Sequence, residues 1–564
     1  MASHALLASA LAAAFLAPAS HLAAQGGGLE PTASLHGTKE NLKFGFSLAT
    51  AGDVDHDGYD DLIVGAPDHD HSGLYSAGSA WVFSGADGSL LHRFLGPQIH
   101  GQFLYGYAVS PAGDVDGDGH ADLLVGAPFS SLAGIHRGGT VFVYSGATGA
   151  LLDEIHGSAI DDNFGHALAA LGDVDGDGFD DFIQGGLEAS RGGLYMSGMA
   201  SVHSGATGQV LFEFHGPSEL SAFGHSVAGV GDVTGDQIPD FLVGAPSHDP
   251  GGKISAGSAF LYSGSTGQLV KAFDGDSTFS ALGRSVAAAG DVNGDQIPDF
   301  LIGIPSKTAN GIQSAGVALV ISGATRTPIH RLFGWQSYSL FGDTVSGAGD
   351  LNGDGFDDVA VSTGTSSGSV SIYSGSNGSL IQRFGADSPG QRFGSALAKA
   401  GKLKFVDSPS MFIGAHGAAP SDLLIAGSVY LYSFHPYMAI SSETISASQG
   451  GTVDFTLDFP EAEAGNDYLL LASYSGTGPW NYNGLDLPLT HDPFTQKMFN
   501  GPPPMFQNGR GILDAQGDGL VRLQVAPGDL VPLLGRRFWF SAIAFEGGVS
   551  MNLASVACIL DVVP

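Results

Sequence analysis

One acidic motif recurs through much of the chain at a nearly constant interval, and this periodicity constrains the fold more than any other feature. Its first copy runs from Ala51 to Pro67 and places aspartates at alternate positions before an apolar segment that ends in Gly-Ala-Pro. The first aspartate recurs at intervals of 61, 59, 59, 59 and 59 residues, as Asp53, Asp114, Asp173, Asp232, Asp291 and Asp350. A fixed period of this length is typical of repeat architectures, in which each repeat is one supersecondary unit.

Each repeat contains four short segments with the character of β-strands. An alternating segment follows an aromatic-Gly pair such as Phe44-Gly45, and an apolar segment such as 122–128 follows the acidic motif. A third segment ends in Ser-Gly, as in 141–146, and a tight turn joins it to a fourth, as in 152–157. Tight turns between such segments indicate hairpins. The sequence therefore predicts an all-β fold, in which seven four-stranded antiparallel sheets form a β-propeller over residues 33–434.

The number of strands predicts how the ring closes. The third segment occurs seven times, but only six copies are followed by a fourth segment. The missing copy lies near the N-terminus, at 33–37, so we expect this N-terminal strand to complete the last blade and to hide exposed sheet edges. In the seventh repeat Lys402 occupies the position of the first aspartate. We therefore expect no ion in that blade.

The chain ends differ from the repeats. Residues 1–24 contain an apolar segment of a length typical of an export signal, and we expect them to be cleaved. Residues 436–564 lose the period but alternate apolar and polar residues, which favours a separate C-terminal β-sandwich. We expect a secreted or cell-surface protein without a transmembrane segment in the mature chain. Cys558 is the only cysteine, so no intramolecular disulfide is possible.

The net charge of −35 argues against binding to nucleic acid or to anionic membrane surfaces. Part of this charge lies in the acidic motifs. Four carboxylates so close together repel one another unless a cation neutralises them. Alternate oxygen ligands in a tight turn are what a hard cation such as Ca²⁺ requires. Each motif is called an acidic loop below, with its first aspartate at position 1.

We expect the side chains at positions 1, 3, 5 and 9 and the backbone carbonyl at position 7 to coordinate one Ca²⁺ per loop, up to six ions in all. The predicted ligands are Asp53, Asp55, Asp57, Tyr59 and Asp61; Asp114, Asp116, Asp118, His120 and Asp122; Asp173, Asp175, Asp177, Phe179 and Asp181; Asp232, Thr234, Asp236, Ile238 and Asp240; Asp291, Asn293, Asp295, Ile297 and Asp299; and Asp350, Asn352, Asp354, Phe356 and Asp358. Loops four and five have fewer carboxylates and place glutamine at position 6, where the turn prefers glycine. We expect weaker binding there. The expected role of calcium is structural.

Two other segments carry side chains that are capable of chemistry. The tract Asp68-His69-Asp70-His71 contains possible transition-metal ligands, although isolated tracts of this kind are usually solvated loops. Trp335 and Tyr338 could stack on a sugar, although such aromatic pairs more often pack internally. The sequence therefore predicts no catalytic residue.

The repeated pattern Phe-Gly, Gly-Asp-Val-Asp-Gly-Asp-Gly and Leu-Val-Gly-Ala-Pro resembles FG-GAP repeats, as found in the propeller of integrin α subunits and in many secreted bacterial proteins. The resemblance implies calcium loops between the first and second strands of a blade and a ligand-binding face at the opposite end. The loops of that face would include 68–79, 129–139, 187–198, 247–258 and 306–316, with the interblade loops 97–104 and 335–340.

Three functions agree with these features. The first is an extracellular binding or cell-adhesion module for a protein or polysaccharide ligand. The second is a hydrolase or lyase that acts on extracellular polysaccharide and uses the propeller as a substrate platform. The third is a purely structural surface component. No acid–base or nucleophile–base constellation stands out from the repeat pattern, which favours the binding module over the enzyme.

Overall fold

A computed structural model gives the structure of the protein. It describes residues 27–97, 103–386, 388–406, 408–420, 423–436, 438–440, 444–446, 448–458, 466–473, 479–482, 485–488, 495, 498, 505–508, 510–514, 518–526, 533, 536–546, 550–554 and 558–563. The predicted export signal at 1–24 lies outside these residues. The chain divides into two compact units, the first containing Pro31–Ser433 and the second Phe434–Pro564.

The first unit contains seven four-stranded antiparallel sheets, which confirms the predicted propeller-type fold. The strand β1 (Gly27–His36) precedes the first blade. Six blades follow as β2 (Ser47–Gly52), β3 (Asp61–Ala66), β4 (Ser79–Phe83), β5 (Leu90–Leu95); β6 (Ala108–Gly113), β7 (Asp122–Ala127), β8 (Thr140–Tyr144), β9 (Leu151–His156); β10 (Ala167–Gly172), β11 (Asp181–Gly186), β12 (Met199–His203), β13 (Val210–His215); β14 (Ser226–Gly231), β15 (Asp240–Ala245), β16 (Ser258–Tyr262), β17 (Leu269–Asp274); β18 (Val286–Gly290), β19 (Asp299–Ile304), β20 (Val317–Ile321), β21 (Pro328–Phe333); and β22 (Phe341–Gly349), β23 (Asp358–Thr363), β24 (Ser369–Tyr373), β25 (Leu380–Gly385).

The seventh blade is completed by the N-terminal strand, as predicted. It consists of β26 (Phe393–Ala400), β27 (Ser410–Ala415) and β28 (Ser428–Pro436), and β1 pairs with β28 as its fourth strand. Blade one then contacts blade seven directly, because the Asp60 N–H donates to the Lys402 carbonyl at 2.8 Å. The two ends of the repeat array are therefore joined in one ring.

The second strand of every blade forms the core of its sheet. All six residues of β3 are buried, because neighbouring strands cover it on both edges and neighbouring blades on both faces. Its Gly65 allows blade two to approach, since a Cβ there would lie 2.1 Å from the Gly106 carbonyl oxygen. The fourth strands, such as β5, are half-exposed at the outer edge. This decrease in burial from the second to the fourth strand explains why the second segment of each repeat is continuously apolar, while the fourth contains both apolar and polar residues.

The second unit is also built from β-strands. They are β29 (Met438–Ile440), β30 (Thr444–Ser446), β31 (Gly451–Asp458), β32 (Asp467–Ser473), β33 (Pro479–Tyr482), β34 (Leu485–Pro488), β35 (Phe506–Gln507), β36 (Arg510–Ile512), β37 (Asp518–Val525), β38 (Arg537–Glu546), β39 (Ser550–Ala554) and β40 (Cys558–Val563). One sheet has the order β29-β31-β37-β35, and a larger sheet contains β30-β40-β38-β32-β36 with β39 beside β38. Phe455 and Phe540 bring the two sheets together, with ring centroids 4.8 Å apart. The C-terminal β-sandwich itself stays a prediction.

Helical structure is minor in the described part of the chain. Two short 3₁₀ turns occur at Leu132–Gly134 and Pro250–Gly252, both in loops between the second and third strands of a blade. Within the residues that the structure describes, no helix has the length and apolar character needed to cross a membrane.

Candidate functional site

The six acidic loops all connect the first and second strands of a blade, so they lie at the same end of the propeller. In each loop the carboxylate at position 1 accepts the backbone N–H of position 6. The donors, at 2.7–3.0 Å, are Gly58, Gly119, Gly178, Gln237, Gln296 and Gly355. These bonds fold the chain tightly around the first aspartate. The residue at position 6 has a positive φ in every loop, which glycine adopts most easily.

The aspartate at position 9 has two structural partners. Asp61, for example, is fully buried, and its two oxygens accept the N–H groups of Val54 at position 2 and of Gly85 after the third strand. The equivalent pairs, at 2.8–3.1 Å, are Val115 and Gly146, Val174 and Gly205, Val233 and Gly264, Val292 and Gly323, and Leu351 and Gly375. The ninth position therefore holds the loop onto its own blade.

Burial perturbs these position 9 carboxyl groups. It raises the pKa of Asp61, Asp122, Asp181 and Asp299 to about 6, and other aspartates of the same loops add to the shift. The backbone N–H donors act in the opposite direction. Since an adjacent cation would favour the ionised form, the chemistry of this donor set fits a bound metal ion.

Loops one to three bring three carboxylates close enough to share one ion. The groups are Asp53, Asp55 and Asp57; Asp114, Asp116 and Asp122; and Asp173, Asp175 and Asp181, whose ligand oxygens lie within 4.8 Å of one another. Oxygens that bind one Ca²⁺ at about 2.4 Å are separated by at most about 4.8 Å. The residues of these three loops therefore fit Ca²⁺, and positions 1, 3, 5 and 9 would hold it.

Loops four to six are arranged differently. Thr234 Oγ1 donates to Asp240 at 3.4 Å, and the Asn293 side-chain amide donates to Asp299 at 3.1 Å. In loop six the Asp354 carboxylate accepts the Ser376 hydroxyl at 2.9 Å. Neutral donors thus satisfy part of the negative charge that a cation would otherwise balance. Across the described residues, a group of three acids this close occurs only in loops one to three.

The sequence analysis did not identify the role of position 8, where an aspartate can bond to the preceding blade. The carboxylate of Asp180 accepts the backbone N–H of Asp114 in the preceding blade at 3.1 Å. Asp357 accepts the N–H of Asp291 at 2.8 Å, and Asp60 accepts that of Lys402 at 2.7 Å. The adjacent pairs Asp60-Asp61, Asp180-Asp181 and Asp357-Asp358 are the sequence signal that could have revealed these bonds between blades.

At the opposite end, the tract at 68–71 is held by internal contacts. Asp68 pairs with Lys43 at 2.7 Å, and Asp70 accepts the Ser76 N–H at 2.7 Å. His69 is buried with Nδ1 2.9 Å from the Ser79 hydroxyl, and its burial lowers its pKa to about 3. These side chains act as the framework of their loop.

Trp335 and Tyr338 do not form a joint stacking platform. The Arg383 guanidinium carbon lies 3.2 Å from the centroid of the Trp335 ring, which also packs edge-on against Phe341. Tyr338 is exposed. The interblade loop at 97–104 lies partly outside the described residues, because 98–102 are not among them.

The most exposed large apolar side chains of the propeller lie at this end. Eight large hydrophobic residues have exposures of 54–78 %, and all lie in loops between the second and third strands or between blades. They are Tyr75, Ile160, Tyr195, Leu220, Ile254, Phe279, Tyr338 and Leu424. Other described large hydrophobics of the propeller reach at most 52 %. We call these eight residues the apolar rim.

Around the axis at the same end, the residue after each Phe-Gly pair contacts its neighbour. The chain of contacts runs through Phe46, Tyr107, His166, His225, Arg284 and Asp343. Its ring centroids are 4.9–5.2 Å apart, and Arg284 bonds His225 at 3.0 Å and Asp343 at 3.3 Å. Burial lowers the pKa of His166 to about 4, with Arg284 adding to the shift.

Comparison with known proteins agrees with this architecture. The model of the FG-GAP repeat family matches residues 44–83, 105–144 and 341–373. The chain is 36 % identical to integrin alpha-5 of Xenopus laevis over 217 residues, which is 36 % of this chain and 20 % of the relative. It is 32 % identical to integrin alpha-3 of Cricetulus griseus over 219 residues, 37 % of this chain and 20 % of the relative.

A second group of relatives matches over a longer stretch. Phosphatidylinositol-glycan-specific phospholipase D of Rattus norvegicus is 26 % identical over 412 residues, which is 62 % of this chain and 48 % of the relative. The chain thus spans about a fifth of the length of the integrin relatives and about half of that of the phospholipase.

Proposed function

The chain is an FG-GAP repeat protein with an integrin-alpha-like propeller, and from this premise we propose that it is an extracellular, calcium-stabilised binding module for a protein ligand. The apolar rim carries the proposal. Exposed apolar side chains that gather at one end of a protein mark an interaction site more often than ones that are scattered singly. Here the most exposed large hydrophobics gather at the end opposite the acidic loops.

The backbone of the rim supports a binding role. Leu220, Phe279 and Tyr338 have φ values of 57°, 59° and 59°, in the left-handed region that bulky residues rarely adopt. Hydrogen bonds to the neighbouring loop hold all three of them. The N–H groups of Leu220, Phe279 and Tyr338 donate to the carbonyls of Tyr195, Ile254 and Gln313. Conformations of this kind are enriched at ligand-binding sites.

The chemistry of the rim favours a protein ligand over a polysaccharide. Four of the eight rim residues, Ile160, Leu220, Ile254 and Leu424, are aliphatic and offer no flat ring on which a sugar can stack, and the other four are aromatic. Aromatic and aliphatic anchors that project from a surface instead match apolar pockets of a protein partner. Polysaccharide remains the alternative ligand, and the experiment below separates the two.

The ligand proposal can be tested with a phage-displayed peptide library and a glycan array, both probed in excess Ca²⁺. We expect peptides that bind the wild-type chain and lose about 30-fold or more in affinity on Leu220→Asn/Phe279→Asn, as is usual for central anchors. Asparagine tolerates positive φ, so this variant keeps the backbone. The control is Val210→Thr/Leu269→Thr, which changes two comparably exposed residues on outer strands. Peptides insensitive to the rim variant, or rim-dependent binding to glycans alone, contradict a protein ligand.

Calcium is proposed as the structural ion of the acidic loops. A cation that binds only the folded state raises its melting temperature. We therefore expect the melting temperature to fall when a chelator replaces Ca²⁺, and mass spectrometry of the native protein to count up to six ions. An unchanged melting temperature with no bound calcium would contradict this role. Finding the protein in the medium of expressing cells, with residues 1–24 removed, would test its export.

Similarity to the phospholipase favours an enzyme as the second candidate function. Release of reporter groups from phosphatidylinositol-glycan and from polysaccharide substrates tests it directly. Activity that survives purification and is absent from a mock preparation would support the enzyme.

A further inference from the structure

Two histidines from neighbouring acidic loops lie against each other. The ring of His56, at position 4 of loop one, is 5.2 Å from that of His120, at position 7 of loop two, and the ring planes are inclined by 55°. The Nδ1 atom of His120 lies 2.9 Å from the Val54 carbonyl oxygen. Because a carbonyl oxygen only accepts hydrogen bonds, Nδ1 carries the proton and Nε2 keeps its lone pair. A backbone carbonyl fixes metal-binding histidines in this same way.

The contact uses two repeat positions that carry histidine nowhere else. Position 4 is glycine in loops two to six, namely Gly117, Gly176, Gly235, Gly294 and Gly353, all with positive φ. Only loop one places a side chain there, and His56 has a φ of 60°. Position 7 is otherwise occupied by Tyr59, Phe179, Ile238, Ile297 and Phe356. Histidine has therefore replaced the usual residue at both positions, and only at blades one and two.

At two other interfaces, positions 4 and 7 of consecutive blades face each other. A Cβ on Gly117 would lie 2.7 Å from the Phe179 ring, and a Cβ on Gly294 would lie 2.8 Å from the Phe356 ring. At these two interfaces, therefore, a glycine makes room for the aromatic side chain of the next blade, whereas the remaining position 4 glycines have open space around them. At the interface between blades one and two, the imidazoles of His56 and His120 occupy the corresponding space.

We propose that His56 and His120 bind a divalent transition-metal ion of the zinc class, at a site separate from calcium in the acidic loops. Bonds of about 2.0 Å from zinc to nitrogen put each imidazole centroid about 3.2 Å from the ion, and a tetrahedral angle then separates the two centroids by about 5.2 Å. The observed separation of 5.2 Å equals this value. Imidazole nitrogen suits zinc, whereas Ca²⁺ prefers oxygen, so the two ions select different side chains.

The surroundings distinguish this pair from two other histidine pairs with similar spacing. His69 and His71 lie near the cations Lys39 and Arg93, which oppose a metal ion. His225 of the pair with His166 is bonded through Nε2 to Arg284. His56 instead lies between two acidic residues, Asp55 and Asp57, in the sequence.

The test is zinc binding to the untagged full chain in excess Ca²⁺, which keeps the acidic loops occupied. We expect calorimetry to show one Zn²⁺ bound per chain, and His56→Gly or His120→Phe to weaken binding by about tenfold or more. Both variants introduce residues found at the same positions of other repeats, so the fold is kept. His136→Ala, which removes an exposed histidine in another loop, is the matched control.

A second measurement identifies the ligands without substitution. Zn²⁺ should protect His56 and His120 from diethylpyrocarbonate, as detected by peptide mass spectrometry, while His136 stays reactive. Absence of zinc binding to the wild-type chain, wild-type affinity in His56→Gly or His120→Phe, or unprotected His56 and His120 would each overturn the proposal. Calcium content and melting temperature, measured in parallel, show whether a variant still folds.

Discussion

The carboxylate of Asp180 accepts the backbone N–H of Asp114 at 3.1 Å, and the Asp180 N–H donates in return to the Asp114 carbonyl at 3.3 Å. The pair joins position 8 of loop three to position 1 of loop two. The same reciprocal bonds link Asp357 with Asp291 and Asp60 with Lys402. At three other interfaces position 8 is Ala121, Pro239 or Pro298, which have no side-chain acceptor. Three of the blade interfaces are therefore joined by carboxylates at the end that carries the acidic loops.

Replacing Asp180 by alanine should weaken the interface between blades two and three. A hydrogen bond to a charged acceptor contributes about 1–3 kcal/mol, and we expect Asp180→Ala to reduce the free energy of unfolding by about 1–2 kcal/mol. Loop two should also bind calcium less tightly, because Asp114 is the first of its proposed ligands. Urea unfolding in Ca²⁺ measures the first effect. The converse variant, Ala121→Asp, supplies the missing acceptor to Asp53 and should stabilise; equal effects of both variants would contradict this explanation.

Asp61 and Asp57 of loop one should respond differently to replacement by asparagine. Asp61→Asn faces an amide donor toward the N–H of Val54 or Gly85, which leaves a buried donor unpaired and costs about 2 kcal/mol. This loss should persist in chelator, because the bonds are internal. Asp57→Asn should lower stability in calcium only. Thermal unfolding of both variants with and without Ca²⁺ makes the comparison, and a calcium-dependent loss in both would show that position 9 acts through the ion alone.

Acid should destabilise the propeller through its buried histidines, whereas the position 9 aspartates whose pKa is raised to about 6 act in the opposite direction. Burial lowers the pKa of His166 and His416 to about 4, from 6.5 in the unfolded chain. The unfolded state therefore binds protons first, so their contribution to stability is complete above about pH 6.5 and is lost as the pH falls toward 4. His166→Tyr, which copies Tyr107 at the equivalent position, should flatten this decline. Urea midpoints at constant free Ca²⁺ between pH 7 and 4.5 test it, and parallel profiles would contradict it. Arg284 and His225, which face His166, stay unchanged in the variant.

The order of turns and apolar segments within one repeat was sufficient to predict the strands of each blade. The apolar segment that includes Asp61–Ala66 became a fully buried second strand, and the missing fourth strand of blade seven was found at the N-terminus as β1. Both follow from the alternation of turns and apolar segments along the chain. A ring of identical units leaves little freedom in how these segments pair.

Contacts between repeats were not predictable in the same way. Asp180 and Asp114 are 66 residues apart, and their bond depends on how far one loop projects toward the next. Phe279 of the apolar rim and Phe273 of β17 are both phenylalanines six residues apart, but Phe279 is 63 % exposed whereas Phe273 packs against the core. Composition and period do not distinguish them, because exposure is decided by the tertiary arrangement of the loops.

Loops four and five carry glutamine at position 6, where the other four loops carry glycine. Gln237 and Gln296 occupy position 6 with φ values of 69° and 66°, whereas glycine occupies that position in the other four loops with φ of 88–92°. Holding an L-residue in the left-handed region costs about 1–2 kcal/mol, and glycine avoids this cost although it adds some flexibility to the unfolded chain. Gln237→Gly/Gln296→Gly should therefore tighten the turn around Asp232 and Asp291. We expect these loops to retain calcium at lower free concentrations and the melting temperature in limiting Ca²⁺ to rise.

Bound calcium, counted by mass as free Ca²⁺ is lowered, should fall in two steps in the wild-type chain, since loops four and five combine a neutral residue at position 3 with glutamine at position 6. The double variant should merge the two steps. Gly58→Gln in loop one is the converse control and should shift one ion from the tight class to the weak class. If the double variant leaves both steps in place while Gly58→Gln moves one, the negative charge that is missing where Thr234 and Asn293 replace aspartate limits calcium binding in loops four and five, and the backbone at position 6 does not.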